Sequence, residues 1–135
     1  MTGDQSHVTS TLAQFVAGLQ WEAVPPEVRR EGVRGLLNFV GCALGGAQDE
    51  AMSIAVKVLA PFFGPPQGIV IGRAERPDAL NAAFLNAVSA NVLEYDDTHL
   101  ATVMHPAAPV ASGLFALAQL RRMSGRELLH ALSSG

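Results

Sequence analysis

Residues 25–46, PPEVRREGVRGLLNFVGCALGG, decide the fold class more clearly than any other part of the chain. Proline is tolerated in the first turn of a helix, so Pro25-Pro26 predicts a helix start. Apolar residues then recur at helical spacing and predict a buried face, made of Val33, Leu36, Leu37, Val40 and Leu44. Gly45-Gly46 predicts the end of the helix. Gly41 is expected to be a point of close packing, and Cys42, on the apolar side, is expected in the core.

The same helical spacing recurs along the chain and predicts an all-α bundle of about six helices. The other predicted helices are a first after caps at Thr9-Ser10-Thr11, a third from Asp49 to Phe62, a fourth from Pro77-Asp78 to near Glu94, a fifth from Pro106 to Arg122, and a sixth that starts at Gly125 with a Ser124/Glu127 capping box. The predicted buried faces are Leu12, Phe15, Val16 and Leu19 on the first helix, Leu80, Phe84, Val88, Asn91 and Val92 on the fourth, and Val110, Leu114, Leu117 and Leu120 on the fifth. Ile69-Val70-Ile71 is strand-like but short, so an extended segment is expected there rather than a sheet.

Composition excludes several classes of protein. The 135 residues are 49% hydrophobic and 16% charged, which argues against intrinsic disorder beyond residues 1–8. The net charge is −3, and no basic stripe of the kind that binds nucleic acid is present. The single cysteine, Cys42, excludes an internal disulfide. Neither a signal peptide nor a membrane-spanning apolar run is seen, so we expect a cytoplasmic protein without a membrane or nucleic-acid partner.

The densest polar cluster is Glu94-Tyr95-Asp96-Asp97-Thr98-His99, followed by His105-Pro106. Histidine is the usual proton carrier near neutral pH, and carboxylates are its common partners. The cluster joins two apolar helices, where a rigid scaffold often presents functional groups. These residues favour proton-transfer chemistry. Two alternatives stay open: a non-catalytic helical protein that acts by association, and a metal-dependent hydrolase that binds zinc or iron through Asp96, Asp97, His99 and His105.

The order and spacing of these residues resemble the MmgE/PrpD family. The main match is NAAFLNAVSANVLEYDDTH at residues 81–99, followed by His105-Pro106, with further agreement at residues 12–16, 36–41 and 124–129. The resemblance implies a large α-helical domain. Residues 9–135 would be the N-terminal part of that domain, truncated at the C-terminus, after a disordered segment of residues 1–8.

The resemblance also implies a function for the full-length protein. Family members act as lyases on small di- and tricarboxylates, by 2-methylcitrate-type dehydration or cis-aconitate-type decarboxylation, without a metal or organic cofactor. A homodimer and, most readily, a hydro-lyase activity are implied. Matched by position, His105, Glu94 and Thr98 would be the catalytic residues. Asp96, Asp97 and His99 belong to the same motif and would bind substrate or support the site.

The chain departs from the family's usual residues at four positions, which are Asn38 (usually Asp), Ala87 (usually Gly), Asn91 (usually His) and Glu94 (usually Asp). Glutamate is one methylene longer than aspartate and moves its carboxyl group by about 1 Å, a misplacement that can cost on the order of 100-fold in rate. The substrate is therefore expected to differ from the named ones. Because no arginine lies within the motif, the cations that a carboxylate substrate requires are expected from outside this chain.

Overall fold

A computed structural model of the chain describes residues 6–134, which form six α-helices and two short 3-10 helices. The α-helices are α1 (Ser6–Gly18), α2 (Pro26–Gly46), α3 (Glu50–Leu59), α4 (Ala79–Asn91), α5 (Ala107–Leu120) and α6 (Gly125–Ser134), and the 3-10 helices span Trp21–Ala23 and Ala60–Phe62. Within these residues no strand forms. Ile69 and Val70 have no regular secondary structure, and Ile71 lies in a turn that the Arg73 amide closes by donating to the Val70 carbonyl, so the absence of a sheet agrees with the prediction. The predicted all-α bundle is confirmed.

The helix starts follow the capping residues in four of the six cases. Proline opens α2. Asp49 and Asp78 accept backbone amides at the starts of α3 and α4. The capping box before α6 forms as predicted, with the Ser124 amide donating to Glu127 Oε2 at 2.7 Å and the Glu127 amide donating to Ser124 Oγ at 3.2 Å.

The start of α1 differs from its prediction. This helix begins at Ser6 and runs through Thr9-Ser10-Thr11, so the predicted caps lie inside it and that assignment is wrong. Residues 6–8, within the predicted disordered segment, are helical. Residues 1–5 lie outside the described part of the chain, and the division at residue 8 stays a prediction.

The predicted buried faces are largely wrong, because small residues rather than large ones fill the helix contacts. Leu37 is 72% exposed and Leu80 84% exposed. Other members of the predicted faces with large exposed side chains are Leu12, Phe15, Val16, Val33, Leu44, Phe84, Leu117 and Leu120. The residues buried instead on α2, α4 and α5 are Phe39, Cys42, Ala43, Gly46, Ala82, Leu85, Asn86, Ser89, Ala90, Ala107, Ala108, Ala111, Ser112 and Ala116. Small side chains let two helix backbones approach closely, and a period-3.6 apolar pattern does not reveal which face does so.

The point of closest approach is Gly46 rather than Gly41. A Cβ atom at Gly46 would lie 2.1 Å from the Ser89 carbonyl oxygen, whereas one at Gly41 would meet nothing within 4 Å. Ser89 Oγ donates to the Ala43 carbonyl at 2.6 Å across the same contact. The end of α2 therefore packs directly on the middle of α4, and the predicted role of Gly41 is wrong. Cys42 is buried beside Phe39, as predicted.

Asn86 fastens residues 69–71 to the bundle. Its side chain is fully buried, accepts from the Ile71 amide and donates to the Ile69 carbonyl, both at 2.8 Å. Backbone groups that a sheet would pair are thus satisfied by one amide side chain on α4. Val70, which stands between Ile69 and Ile71 in the chain, is buried against Leu85 and Met52.

Candidate active site

The polar motif lies on the segment that joins α4 to α5, and Asn38 on α2 holds that segment from across the bundle. Asn38 Oδ1 accepts from the Asp97 amide at 3.0 Å, and its Nδ2 donates to the Tyr95 carbonyl at 3.1 Å. Asp97 Oδ1 accepts from the amide of Ala107, the first residue of α5, at 3.1 Å. Asp97 therefore satisfies an amide that the helix leaves unpaired, a structural contact at the edge of the site.

Asp96 is the buried carboxylate of the motif. Its side chain is 1% exposed, and its Oδ2 lies 3.4 Å from His105 Nδ1. Asn91, the last residue of α4, donates from Nδ2 to the same Oδ2 at 3.1 Å. The other oxygen, Oδ1, is buried and has no hydrogen-bond partner among residues 6–134. A buried carboxylate with so few donors strongly favours a positive charge beside it.

His105 and Thr98 complete the group. Thr98 Oγ1 lies 3.4 Å from His105 Nδ1 and 3.4 Å from the Asp96 carbonyl oxygen. The His105 side chain is 41% exposed, so the ring contacts the protein on its Nδ1 side and remains open to an incoming molecule. The structure thus brings together Asp96, Thr98 and His105, two of the three residues predicted to be catalytic and one predicted to support them.

Glu94 and His99 take no part in that group. Glu94 is exposed with a backbone φ of 55°, and its carboxylate has no hydrogen bond or ion pair within the described residues. His99 is engaged in a turn, because its Nδ1 lies 2.8 Å from Thr102 Oγ1 and its amide donates to the Met104 carbonyl at 2.8 Å. The roles predicted for these two residues stay predictions.

Sequence reasoning missed Asn91 and Asn38 as members of the site. Asn91 was assigned to the apolar face of the fourth helix, yet it is exposed and hydrogen-bonded to Asp96. The available signal was its polarity, because an amide in an otherwise apolar stripe requires a polar partner. For Asn38 no local signal exists, since its partners lie 57 and 59 residues away along the chain.

The negative charge of the motif acts on the buried Cys42 thiol of α2. Burial raises the pKa of the Cys42 thiol, and the negative charges of Asp96 and Asp97 raise it further, while a hydrogen bond with Asn38 acts in the opposite direction. Within residues 6–134 no three His, Cys, Asp or Glu side chains converge as metal ligands. The four residues of the metal hypothesis therefore do not form a common ligand set.

The helical fold and the Asp96–Thr98–His105 group can be compared with known proteins. The MmgE/PrpD N-terminal domain matches residues 10–135. The chain belongs to the MmgE/PrpD family. This confirms the resemblance inferred from the motif at residues 81–99, and it supports a lyase-type family.

Individual relatives carry the same indication. A cis-aconitate decarboxylase-like protein, oryM, from Aspergillus oryzae is 29% identical over 125 residues, covering 91% of this chain and 26% of that protein. A cis-aconitate decarboxylase from Aspergillus terreus is 25% identical over 124 residues, 92% of this chain and 25% of that protein. The Mus musculus cis-aconitate decarboxylase is 29% identical over 134 residues, 95% of this chain and 27% of that protein.

The chain spans about a quarter of the length of these relatives. In the described part, no helix combines the length and apolar character needed to cross a membrane.

Proposed function

We propose that this chain is the N-terminal part of a lyase that acts on a small di- or tricarboxylate by proton transfer, without a metal or organic cofactor. The observation that carries the proposal is the half-exposed His105 ring, whose Nδ1 faces the buried Asp96 carboxylate and the Thr98 hydroxyl. An imidazole so placed can exchange a proton through its open side while the carboxylate stabilises the charged ring. The family match and the cis-aconitate decarboxylase relatives support a lyase-type family.

Two reactions are compatible with such a group, and they move the proton in opposite directions. In dehydration, a base removes the proton next to a carboxylate, the C–O bond breaks, and an acid protonates the departing hydroxide. In decarboxylation, the C–C bond to a carboxylate breaks, CO₂ leaves, and the electron pair left on carbon takes a proton from an acid. The sequence favours dehydration by family resemblance, whereas the names of the relatives favour decarboxylation of cis-aconitate. In either case His105 carries the proton and Thr98 hydrogen-bonds the substrate.

Glu94 would transfer a proton or orient the substrate. Its φ of 55° turns the chain sharply after α4, and its exposed carboxylate is available to a bound molecule. Cations must neutralise the substrate's carboxylates in the transition state. Arg34 lines a groove with Asn38 and Asp97 but pairs with Glu31 at 3.0 Å, so we expect the neutralising cations from the remainder of a longer, homodimeric protein.

The test begins with the intact mass of the protein as its own cell makes it, compared with 14.2 kDa. The protein at the length that this mass indicates is then assayed for CO₂ release from cis-aconitate and for dehydration of 2-methylcitrate. His105→Ala should lower kcat by at least about 100-fold, the usual scale of a lost general acid or base. The matched control is His7→Ala, which removes an exposed imidazole on α1. Near-normal turnover by His105→Ala would overturn the assignment.

Association is the second candidate function, favoured by the apolar side chains on the outer helix faces. Leu37, Phe62 and Leu80 are each more than two-thirds exposed, at 72%, 76% and 84%, and apolar side chains exposed to this extent are available for contact with another chain. A 14.2 kDa protein that forms a stable oligomer and neither binds nor turns over carboxylates would establish this function in place of the lyase.

A further inference from the structure

We propose that Asp96, held by Asn91, is a positioning residue that keeps the His105 proton on Nδ1 and so presents Nε2 as the nitrogen that exchanges a proton with the substrate. This inference rests on the proposed lyase function and specifies how its central histidine works. It assigns two adjacent aspartates to two separate tasks, Asp96 to the imidazole and Asp97 to the start of α5.

The tautomer follows from the chemistry of the neighbours. An ionised carboxylate can only accept hydrogen bonds, and Asp96 Oδ2 is 3.4 Å from His105 Nδ1. The Thr98 hydroxyl, also 3.4 Å from Nδ1, has the Asp96 carbonyl as an acceptor for its own proton, which leaves its lone pairs facing the ring. Both neighbours are therefore placed to accept from a proton on Nδ1, and a neutral imidazole with its proton there has a lone pair on Nε2. Contacts of this length commonly tighten once a substrate is bound.

Burial gives the carboxylate its effect on the ring. The Asp96 side chain is 1% exposed, and a charge shielded from water interacts more strongly with a neighbouring cation. When Nε2 takes up a proton, the resulting imidazolium is stabilised by this fixed negative charge. Few hydrogen bonds from the fold offset the charge of this carboxylate, since Oδ1 has no partner in the described part of the chain.

Asn91 fixes the carboxylate in place. Its Nδ2 donates at 3.1 Å to the same Oδ2 that faces the ring, which sets the orientation of the carboxyl group toward His105. Between Asn91 and Asp96, Glu94 adopts a left-handed backbone conformation with φ 55°, and this turn brings Asp96 back to within hydrogen-bond distance of Asn91. Such a conformation in a non-glycine residue is strained, and strain of this kind concentrates at functional sites.

The test uses the lyase at its natural length and compares Asp96→Asn with wild type. We expect kcat to fall by about 10- to 100-fold, the scale of a misplaced catalytic group, with little change in KM. The ¹⁵N chemical shifts of the His105 ring should report a proton on Nδ1 in wild type and a mixture of tautomers in Asp96→Asn. Asn91→Ala, which keeps the charge but frees the carboxylate, should cause a smaller loss of kcat in the same direction.

Asp97→Asn is the matched control, because it neutralises the adjacent carboxylate and retains an oxygen for the Ala107 amide. It should leave the His105 tautomer unchanged. A proton on Nε2 in the wild-type ring, or wild-type kcat and tautomer in Asp96→Asn, would overturn the positioning role. If Asp96→Asn does not fold, the wild-type spectrum and Asn91→Ala decide the matter. Failure of the lyase proposal is separate, since it requires His105→Ala to remain active.

Discussion

An aspartate is paired with an asparagine at each end of helix α4, and the two pairs are built differently. At the N-terminal end, the Asp78 carboxylate accepts from the amides of Leu80, Asn81 and Gly64 and from Asn81 Nδ2. At the C-terminal end, one hydrogen bond to the Asp96 carboxylate is found among residues 6–134, donated by Asn91 Nδ2, and Asp96 Oδ2 lies 3.4 Å from His105 Nδ1.

The difference separates a carboxylate satisfied by structural hydrogen bonds from the one proposed to position His105. Four donors stabilise the charge of Asp78 and hold its pKa at about 2, below the ordinary value of 3.8, with the Asn81 side chain as the largest cause. Asp96 is more deeply buried yet has fewer donors, an arrangement that costs stability unless a cation or ligand compensates. Residue type is the same at both ends, and the number of donors to the carboxylate differs between them.

The largest expected effect comes from displacing α4, which should disturb both pairs together. In Gly46→Ala the new Cβ would lie 2.1 Å from the Ser89 carbonyl, a backbone atom that cannot move aside, and overpacking of this kind costs about 1–3 kcal/mol or more. Chemical denaturation should show that loss. Gly41→Ala is the control, because nothing lies within 4 Å of its Cβ, and it should stabilise the helix by up to about 1 kcal/mol. Equal effects at the two glycines would contradict the close approach of α2 and α4.

The second expected effect separates stability from activity at the two aspartates. Asp78→Ala removes the cap of α4 and should lower the melting temperature by about 3 °C or more while turnover is retained. Asp96→Asn removes a poorly satisfied buried charge, so its melting temperature should equal or exceed that of wild type although turnover falls. Thermal melts and kinetic assays on the same samples check this, and parallel losses of stability in both variants would break the comparison.

Acid should erase the contribution of Asp78. Because its folded-state pKa is about 2 against an ordinary 3.8, the unfolded chain binds the proton more readily, and acidification favours unfolding. The stabilisation is therefore complete above pH 3.8 and is lost as the pH falls through about 2. The gap in melting temperature between wild type and Asp78→Asn should shrink over that interval. The capping-box bonds to Ser124 also lower the pKa of Glu127, but Glu127 is present in wild type and in Asp78→Asn alike and therefore does not change the gap. A gap in melting temperature that stays constant over this interval would exclude the assignment to Asp78.

The smallest expected effect is on the Cys42 thiol. Burial, followed by the charges of Asp96 and Asp97, raises its pKa, so alkylation near neutral pH should be slower than for a free thiol. Asp96→Asn removes one of those charges and should increase the rate modestly. Asp49→Asn, at the cap of α3, is the control and should leave it unchanged. Alkylation as fast as that of an unstructured cysteine peptide would contradict the burial.

The sequence predicted helix starts well because capping chemistry is local. Asp49, Asp78 and the pair Ser124/Glu127 accept from backbone amides within three residues of themselves. Pro26 stands in the first turn of α2, where its fixed φ already suits a helix. It predicted the buried faces poorly, since apolar periodicity marks a candidate stripe without naming the neighbour that covers it. Leu80 is 84% exposed while Ser89 on the same helix is fully buried, because the end of α2 approaches that side of α4.

The candidate site divides in the same way. His105, Thr98 and the acidic cluster could be identified from residue types, spacing and family resemblance. Which of these residues lie together in the folded protein could not be identified in this way, because that depends on contacts between segments. Asn38 reaches the motif from α2, and Asn91 and Asp96 meet through the turn at Glu94.

Residue order alone therefore determined the all-α class, most helix starts, the family and the set of candidate groups, since each depends on local hydrogen bonding or on a contiguous motif. Packing in three dimensions determined which small residues became the core, which glycine lies at the helix contact, and which aspartate faces the histidine. These outcomes depend on the distance between segments that are far apart in the chain, and no short-range pattern encodes that distance.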